Sequence, residues 1–444
     1  MPRDSESTRQ DHVKAEENTD PAGSPVPASM SAEPAPAPGT TTTTAAAAFL
    51  PSSIVASYAT STLHRPPTNI PKLSLIEKYL HLTALTPTAF TNTFAFWQLA
   101  AARGIFGGEI IGQCIVAAAS TVAETFWLHS IHSYFVLAGD AKIPITYDVT
   151  NVRTGRSFAT REVKALQRGQ PIVVLMASFQ RHLPTPFPAR TRAAPEWQIA
   201  MPEVQKPWEL PSEQDKINHE EAAQASLSSA IAQKKTANPR DPSIAADEAT
   251  LSSISAVLHR RKLRLEHNPF ESRPLEPQGF SHAPNEAYSA RKVRYWVRAR
   301  ERLSPSSSSG IPHAQHAALG YLTDNLFIHT VGRINPTAAS ETDSSLMVSL
   351  DHTVYFHLGS EMRIDTAAPG SNDLHGWLLI EMDAPWAANE RGVVTQRIWR
   401  ALDGRLIATC IQEGLVRLKG GGSIGEKKRG DGRSAGGSSR SSKL

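Results

Sequence analysis

The sequence predicts an α+β fold made of two tandem copies of one unit, each an antiparallel sheet curled round a central helix. Two observations predict it. One stretch of the chain recurs later, and each copy opens on an apolar helix. "HSIHSYFVLAGDA" (His129 to Ala141) and "VSLDHTVYFHLGS" (Val348 to Ser360) read as the same strand ending in Tyr-Phe. Tyr134, Phe135 and Leu137 match Tyr355, Phe356 and Leu358 at an offset of 221. A turn insertion follows in the second copy, over roughly 361–374. Beyond it the offset is 235, matching Asp148 with Asp383, Arg156 with Arg391, Thr160 with Thr395, Gly169 with Gly404 and Ile172 with Ile407. Matches held at a constant offset mark an internal duplication.

Each copy starts with its helix, "FGGEIIGQCIVAAASTVAE" in the first and "AALGYLTDNLFIHTVG" in the second. Ile110, Ile111, Cys114, Ile115, Val116 and a run of alanines leave the first helix almost no polar face, so it is buried on most sides. Strands follow: "SIHSYFVL", "PITYDVTNV", "SFATREVKAL" and "PIVVLMASFQ", with "TGR" and "RGQ" as turn signals between the last three. A sheet wrapped round one buried helix is the hotdog layout, present here twice as a double hotdog. We place the first hotdog at 71–181 and the second at 290–419. The polar stretch between them, 182–289, contains "NHEEAAQASLSSAIAQKK" and reads as a connector with one or two helices. Residues 1–70 are rich in Pro, Ala, Thr and Ser; they bury too little apolar surface to offset their ordering entropy and are expected to be disordered. Residues 420–444, rich in Gly, Ser, Lys and Arg, are expected to form a flexible tail.

Composition narrows the function. Hydrophobic residues make up 40% of the 444 and charged residues 20%, the balance of a globular protein with a sizeable core. No apolar run approaches the roughly 18 to 20 residues of a membrane helix, and no basic-then-apolar signal sequence opens the chain. The net charge of +4 points to nucleic acid only at first sight. Lys419 to Leu444 holds seven Lys/Arg and two acids, a net of +5, which leaves −1 on residues 1–418. A near-neutral body offers no electrostatic footprint to a polyphosphate, so no nucleic-acid partner is expected. Cys114 and Cys410 each lie in an apolar segment and read as buried, reduced thiols.

The segments "IFGGEIIGQ", "HSIHSYFVLAGD", "YDVTNVRTGRSFATREVKALQRGQPIVVLMASFQ", "SLDHTVYFH" and "DGRLIATCIQEGLVRL" together resemble the bacterial thioesterase II and peroxisomal acyl-CoA thioesterase family. The resemblance covers both copies, over half the chain, in the family's order. It implies a double hotdog that hydrolyses acyl-CoA thioesters by direct attack of water, with no cofactor. It also implies an acid, a hydroxyl and an amide that hold this water: Asp324 of "GYLTDN", Ser349 of "SLDH" and Gln412 of "IQEG". A carboxylate at the wall of an acyl pocket can take a proton from water, while the hydroxyl and amide orient it toward the carbonyl carbon. No HExxH or paired-Cys spacing signals a metal. One turn departs from the family: "LAGD", Leu137 to Asp140, stands where Arg-Pro-Gly-Asp is usual, which puts the contact of that arginine in question.

The duplication assigns the chemistry to one copy. At the offsets above, Ser349 matches Leu128 and Gln412 matches Ala177; setting Gly108 on Gly320 puts Gly112 opposite Asp324. All three polar groups are missing from the first copy, so the second is expected to be catalytic and the first to complete the fold and line the acyl and CoA site. Gly107 and Gly108, entering the first helix, either present N–H groups to the thioester oxygen or only permit close packing.

Other motifs weigh less. In "SLDH", strand alternation places Ser349 and Asp351 on one face and His352 on the other, against a Ser-His-Asp triad. His129 and His132 read as structural histidines ahead of site-lining ones. G-x-S-x-G occurs at Gly421 to Gly425 and Gly432 to Gly436, inside a Gly/Ser-rich tail rather than on a strand-turn-helix elbow. Ser442, Lys443 and Leu444 form a peroxisomal matrix address, which implies an import receptor as partner. Sheet edges that pair with another copy imply a homo-oligomer. Two rival readings are an inactive acyl-CoA-binding or scaffold protein of this fold, and a hotdog enoyl-CoA hydratase, whose "GDxNPxH"-like loop is absent.

Overall fold

Strict alternation of buried and accessible residues along Phe158–Gln167 is repeated, less regularly, in the neighbouring strands, and it lays the chain as a sheet with one apolar face. The computed structural model describes residues 72–97, 104–181, 196–275, 280–281, 286–325, 327–335, 344–364 and 373–418. The extension expected at 1–70 and the tail at 420–444, with Ser442, Lys443 and Leu444, lie outside them.

The first half holds β1 (Leu82–Thr86), β2 (Ala89–Asn92), β3 (Phe126–Phe135), β4 (Thr146–Thr154), β5 (Phe158–Gln167) and β6 (Gln170–Arg181). The second holds β7 (Phe270–Pro274), β8 (Phe280–Ser281), β9 (Lys292–Ala299), β10 (Ser344–Ser349), β11 (Asp351–Phe356), β12 (Leu378–Ala388), β13 (Arg391–Arg400) and β14 (Leu406–Leu418). All join one sheet of order β1-β2-β4-β5-β6-β3-β11-β14-β13-β12-β9-β7, with β10 on β14 and β8 on β9. The order mirrors itself about the β3–β11 seam, where Ile131 pairs with Val354 and Ser133 Oγ donates to the His352 carbonyl at 2.8 Å. β7 lies inside the stretch set aside as connector. Its sequence, "FESRP", has no apolar alternation to announce it, and it is held by its ladder to β9.

Registers carry the duplication into three dimensions. Leu128 pairs with Phe179 and His132 with Met176; Ser349 pairs with Gly414 and Thr353 with Ile411, the same pairs shifted by 221 and 235. Both copies also carry one extra residue at the same place, between Leu128 and Ser130 and between Ser349 and Thr353. The outer strands correct the sequence match. Tyr147 pairs with Ala165 and Ile380 with Ile398, an offset of 233 on both strands. The β13–β14 turn is longer than the Arg168-Gly169 turn of the first copy, and the even shift leaves every side chain on its face.

The described helices of five or more residues are α1 (Leu75–Leu80), α2 (Gly107–Ala119), α3 (Glu213–Ala237), α4 (Ser243–His267), α5 (Ala314–Thr323) and α6 (Thr330–Ile334). Ser74 caps α1 with Glu77 in a capping box, and Glu77 also accepts the Ser304 N–H at 2.6 Å, tying the first half to the second. The connector forms α3 and α4, polar helices clamped by Arg261 to Glu213 and Glu220 and by Lys234 to Asp247. Every residue of α2 from Gly108 to Ala119 is buried, as its composition requires. The second core helix is shorter than "AALGYLTDNLFIHTVG": α5 stops at Thr323, Asp324 is its C-cap, and α6 begins at Thr330. Thr, Asp and Asn in succession are poor helix formers, which ends the helix there. None of the described helices is long and apolar enough to cross a membrane.

The two core helices cross so closely that a Cβ on Gly108 would sit 2.3 Å from the Tyr321 carbonyl oxygen. A Cβ on Gly320 would press on the movable Cδ1 of Ile115, at 2.5 Å, and lie at ordinary contact distance, 3.6 Å, from Ile111 Cγ2. Gly108→Ala should therefore lower the unfolding free energy by about 1–3 kcal/mol through overpacking. Gly320→Ala should cost less than about 1 kcal/mol, since alanine also regains helix propensity. Urea midpoints of the two variants test this; equal losses would contradict the crossing.

Candidate active site

Asp324 sits where α5 ends, so its carboxylate faces away from its own helix and toward the start of α2. The Gly108 N–H donates to it, and so does Gln412 Nε2, at 2.8 Å from Oδ1. The surroundings are apolar, and loss of solvation pushes the carboxyl up to about 6 against the lowering pull of those two donors. Asp324 keeps a small accessible surface. A partly reachable carboxylate with a pKa near neutrality is suited to act as a general base.

Gln412 comes from the middle of β14 and is fully buried. Among the described residues its Oε1 has no hydrogen-bond partner, although it is screened from solvent. Ser349 ends β10 opposite Gly414, two residues along β14 from Gln412, and cross-strand partners share a face. Ser349 and Gln412 therefore point to the same side of the sheet, although no hydrogen bond joins Ser349 to Gln412 or Asp324 among the described residues. The structure thus brings Asp324 and Gln412 into contact and holds Ser349 one cross-strand step away.

The extra residue between Ser349 and Thr353 corrects the sequence reading of "SLDH". It shifts the alternation by one, so His352 shares the interior face with Ser349 and Gln412. His352 is fully buried, its Nδ1 3.4 Å from Gln412 Nε2 and its Nε2 2.9 Å from Thr323 Oγ1. Phe327 packs edge-on against the ring. Burial holds the imidazole neutral, with its pKa lowered to about 3. There is still no triad: Asp351 accepts the Glu413 N–H at 2.6 Å and does not bond His352. Sequence reasoning missed His352 and Thr323. A signal was present, since His352 matches the buried Ile131 of the first copy at the offset of 221.

Gly107 and Gly108 both stand against Asp324. A Cβ on Gly107 would lie 2.7 Å from Asp324 Oδ2 and 2.8 Å from the Phe135 ring, so the carboxylate's seat requires a residue without one. In the first copy, a Cβ on Gly112, the residue matched to Asp324, would lie 2.4 Å from Leu80 Cδ2. Leu80 fills the space, and no carboxylate fits. His132 lies on the exposed face of β3, with Tyr355 edge-on to it, while His129 packs on Phe158. Among the described residues no three His, Cys, Asp or Glu side chains are grouped as a metal requires.

Residues 97–180 match the family model for the acyl-CoA thioesterase N-terminal domain, and residues 245–416 that for the acyl-CoA thioesterase C-terminal domain. Acyl-coenzyme A thioesterase 8 of Homo sapiens is 34% identical over 345 residues, 78% of this chain and 89% of its own length. Peroxisomal acyl-coenzyme A thioester hydrolase 1 of Saccharomyces cerevisiae is 25% identical over 370 residues, 78% and 95% of the two chains. Among solved structures, acyl-CoA thioesterase II TesB2 from Mycobacterium marinum has a TM-score of 0.51 at 24% identity, covering 78% of this chain and 98% of its own, a likeness of fold.

His316 and His352 are buried and His313 half-buried, and desolvation keeps all three neutral, with pKa values lowered to about 4 at His313, 3 at His316 and 3 at His352. The unfolded chain binds protons at these residues from about pH 6.5 downward while the folded chain does not, so stability falls with acidification through that window. Each histidine contributes about 1.4 kcal/mol per pH unit. Urea midpoints should drop steeply between pH 6.5 and pH 4, and less steeply in His316→Gln. A flat profile would contradict neutral burial.

Proposed function

The chain belongs to the acyl-CoA thioesterase family, and on that premise we propose that it hydrolyses acyl-CoA to a free acid and CoA with a water held by Asp324, Ser349 and Gln412. The observation that carries the reading is the Gln412 Nε2 to Asp324 Oδ1 hydrogen bond at 2.8 Å, beside a Gln412 Oε1 that has no partner among the described residues. An ionised Asp324 takes one proton of the water, while the O–H that remains donates a hydrogen bond to Gln412 Oε1. Ser349 Oγ, on the same face, completes the water's position. The water oxygen bonds to the thioester carbon, the C–S bond breaks, and the proton held by Asp324 passes to the departing thiolate. Acid and thiol account for all atoms of ester and water. The Gly108 N–H is engaged by Asp324, so we assign the neighbouring Gly107 N–H, at the same helix N-terminus, to the thioester oxygen.

A peroxisomal matrix location is supported by the name of the yeast relative, a peroxisomal thioester hydrolase, and by Ser442, Lys443 and Leu444, the address an import receptor would read. Self-association is supported by Tyr134, Met176, Tyr355 and Ile411, large apolar groups exposed about the β3–β11 seam.

CoA release from short, medium, long and branched acyl-CoAs, followed with a thiol-reactive dye, tests the reaction. Turnover should fall by about 10²-fold or more in Asp324→Ala, which loses its base. Because the Asp324 pKa is raised, the active carboxylate forms only as pH climbs through about 6, so kcat should rise there and level off above. Unchanged turnover in Asp324→Ala would move the site elsewhere. No release by folded wild type would favour a binding or scaffold role. A green fluorescent fusion bearing the last 25 residues should enter peroxisomes, and deletion of Leu444 should leave it outside them.

A further inference from the structure

We propose that His352 is a positioning residue: as the Nε2–H tautomer, anchored on Thr323, it fixes the Gln412 amide so that Oε1 points to the attacking water. This rests on the thioesterase reading above and adds to it two residues, His352 and Thr323, which touch neither water nor substrate.

Hydrogen-bond direction follows from a chain of donors with one consistent solution. Thr323 Oγ1 donates to the Gly320 carbonyl at 2.8 Å, which spends its only proton. It can then only accept from His352 Nε2 at 2.9 Å, so Nε2 carries the hydrogen. A neutral imidazole protonated at Nε2 has a bare lone pair at Nδ1. That lone pair faces Gln412 Nε2 at 3.4 Å, and the Asp324 carboxylate faces the same nitrogen at 2.8 Å. Two acceptors on one side hold both hydrogens of the amide nitrogen. A flipped amide would set Oε1 against a carboxylate and a lone pair. Oε1 is therefore left facing the other way, buried and without a partner among the described residues, and a buried acceptor without a donor is a place for a hydrogen of water.

The first copy supplies the control. At the offsets already given, His352, Gln412, Thr323 and Asp324 correspond to Ile131, Ala177, Ile111 and Gly112. Ile131 pairs directly with Ala177 in the β3–β6 ladder, in the register that sets His352 opposite Gln412. The whole polar chain is present in one copy and apolar in the other, where Ile111, Ile131 and Ala177 are fully buried. A histidine serving only to pack the core would have no reason to appear and vanish together with Asp324 and Gln412. Burial also keeps the ring neutral in the working range of the base.

The test compares His352→Leu, which removes the acceptor, with His352→Asn, whose Oδ1 restores an acceptor near the position of Nδ1. In His352→Leu, kcat on the best acyl-CoA should fall about 10²-fold, the scale of a misplaced reacting group, while KM stays within about threefold. His352→Asn should recover to within about tenfold of wild type. Circular dichroism and thermal unfolding report whether each variant folds. In wild type labelled with ¹⁵N-histidine, with the His352 signals identified by their loss in His352→Asn, Nε2 should be protonated and Nδ1 bare, without titration from pH 5 to 9. Nδ1 protonation would overturn the proposal, as would a folded His352→Leu with undiminished kcat or a folded His352→Asn no better than leucine. Should wild type release no CoA, the thioesterase reading falls on its own, and the tautomer measurement still decides how Gln412 is held.

Discussion

The close crossing of the two core helices is the constraint from which the site follows. Tyr321 and Asp324 on one helix end can meet the start of the other only because Gly107 and Gly108 carry no side chain. That approach brings the positive N-terminal end of α2 onto a carboxylate stationed at the negative C-terminal end of α5. Without the Gly108 N–H and the Gln412 amide, Asp324 would be a buried charge with little to oppose its neutralisation. With them it is ionisable near neutral pH, which is what separates a base from a buried acid.

Duplication explains why this seat for a carboxylate is built in one copy and not in the other. The sheet is palindromic in strand order and repeats the β3–β6 register in β10, β11 and β14, extra residue included. The fold therefore offers two equivalent seats. In the first, Leu80, Ile111, Ile131 and Ala177 close the seat with apolar contacts. In the second, a connected polar chain from Gly320 through Thr323, His352 and Gln412 to Asp324 occupies it. Buried polar groups of this kind are tolerable when each has its partner. The exception in this polar chain, among the described residues, is Gln412 Oε1, an atom that a bound water would satisfy. Membership of the acyl-CoA thioesterase family fits this division, since its N- and C-terminal domain models fall on separate stretches of the chain.

Much of this was legible in the sequence, for definite reasons. The offsets of 221 and 235 reappear as ladder pairs because strand register is tied to which residues are apolar. Asp324 and Gln412 stand out because their first-copy counterparts have no polar group. What escaped did so through local backbone events. A single extra residue near Leu350 turns His352 to the face that simple alternation denies it. The run Thr323-Asp324-Asn325 ends a helix that apolar periodicity would continue. β7 is recognisable only through its ladder to β9, and the turn after β13 shifts the match on the outer strands by two residues.

The central claim is that Asp324 is a carboxylate whose proton affinity is set by burial against two donors. Carbon-13 labelling of aspartate side chains, with Asp324 assigned by its absence in Asp324→Asn, reads that affinity without any substrate. The account predicts a midpoint near pH 6 in wild type, moving upward in Gln412→Leu, where one stabilising donor is lost. A midpoint near 4, the ordinary aspartate value, that ignores Gln412→Leu would contradict it.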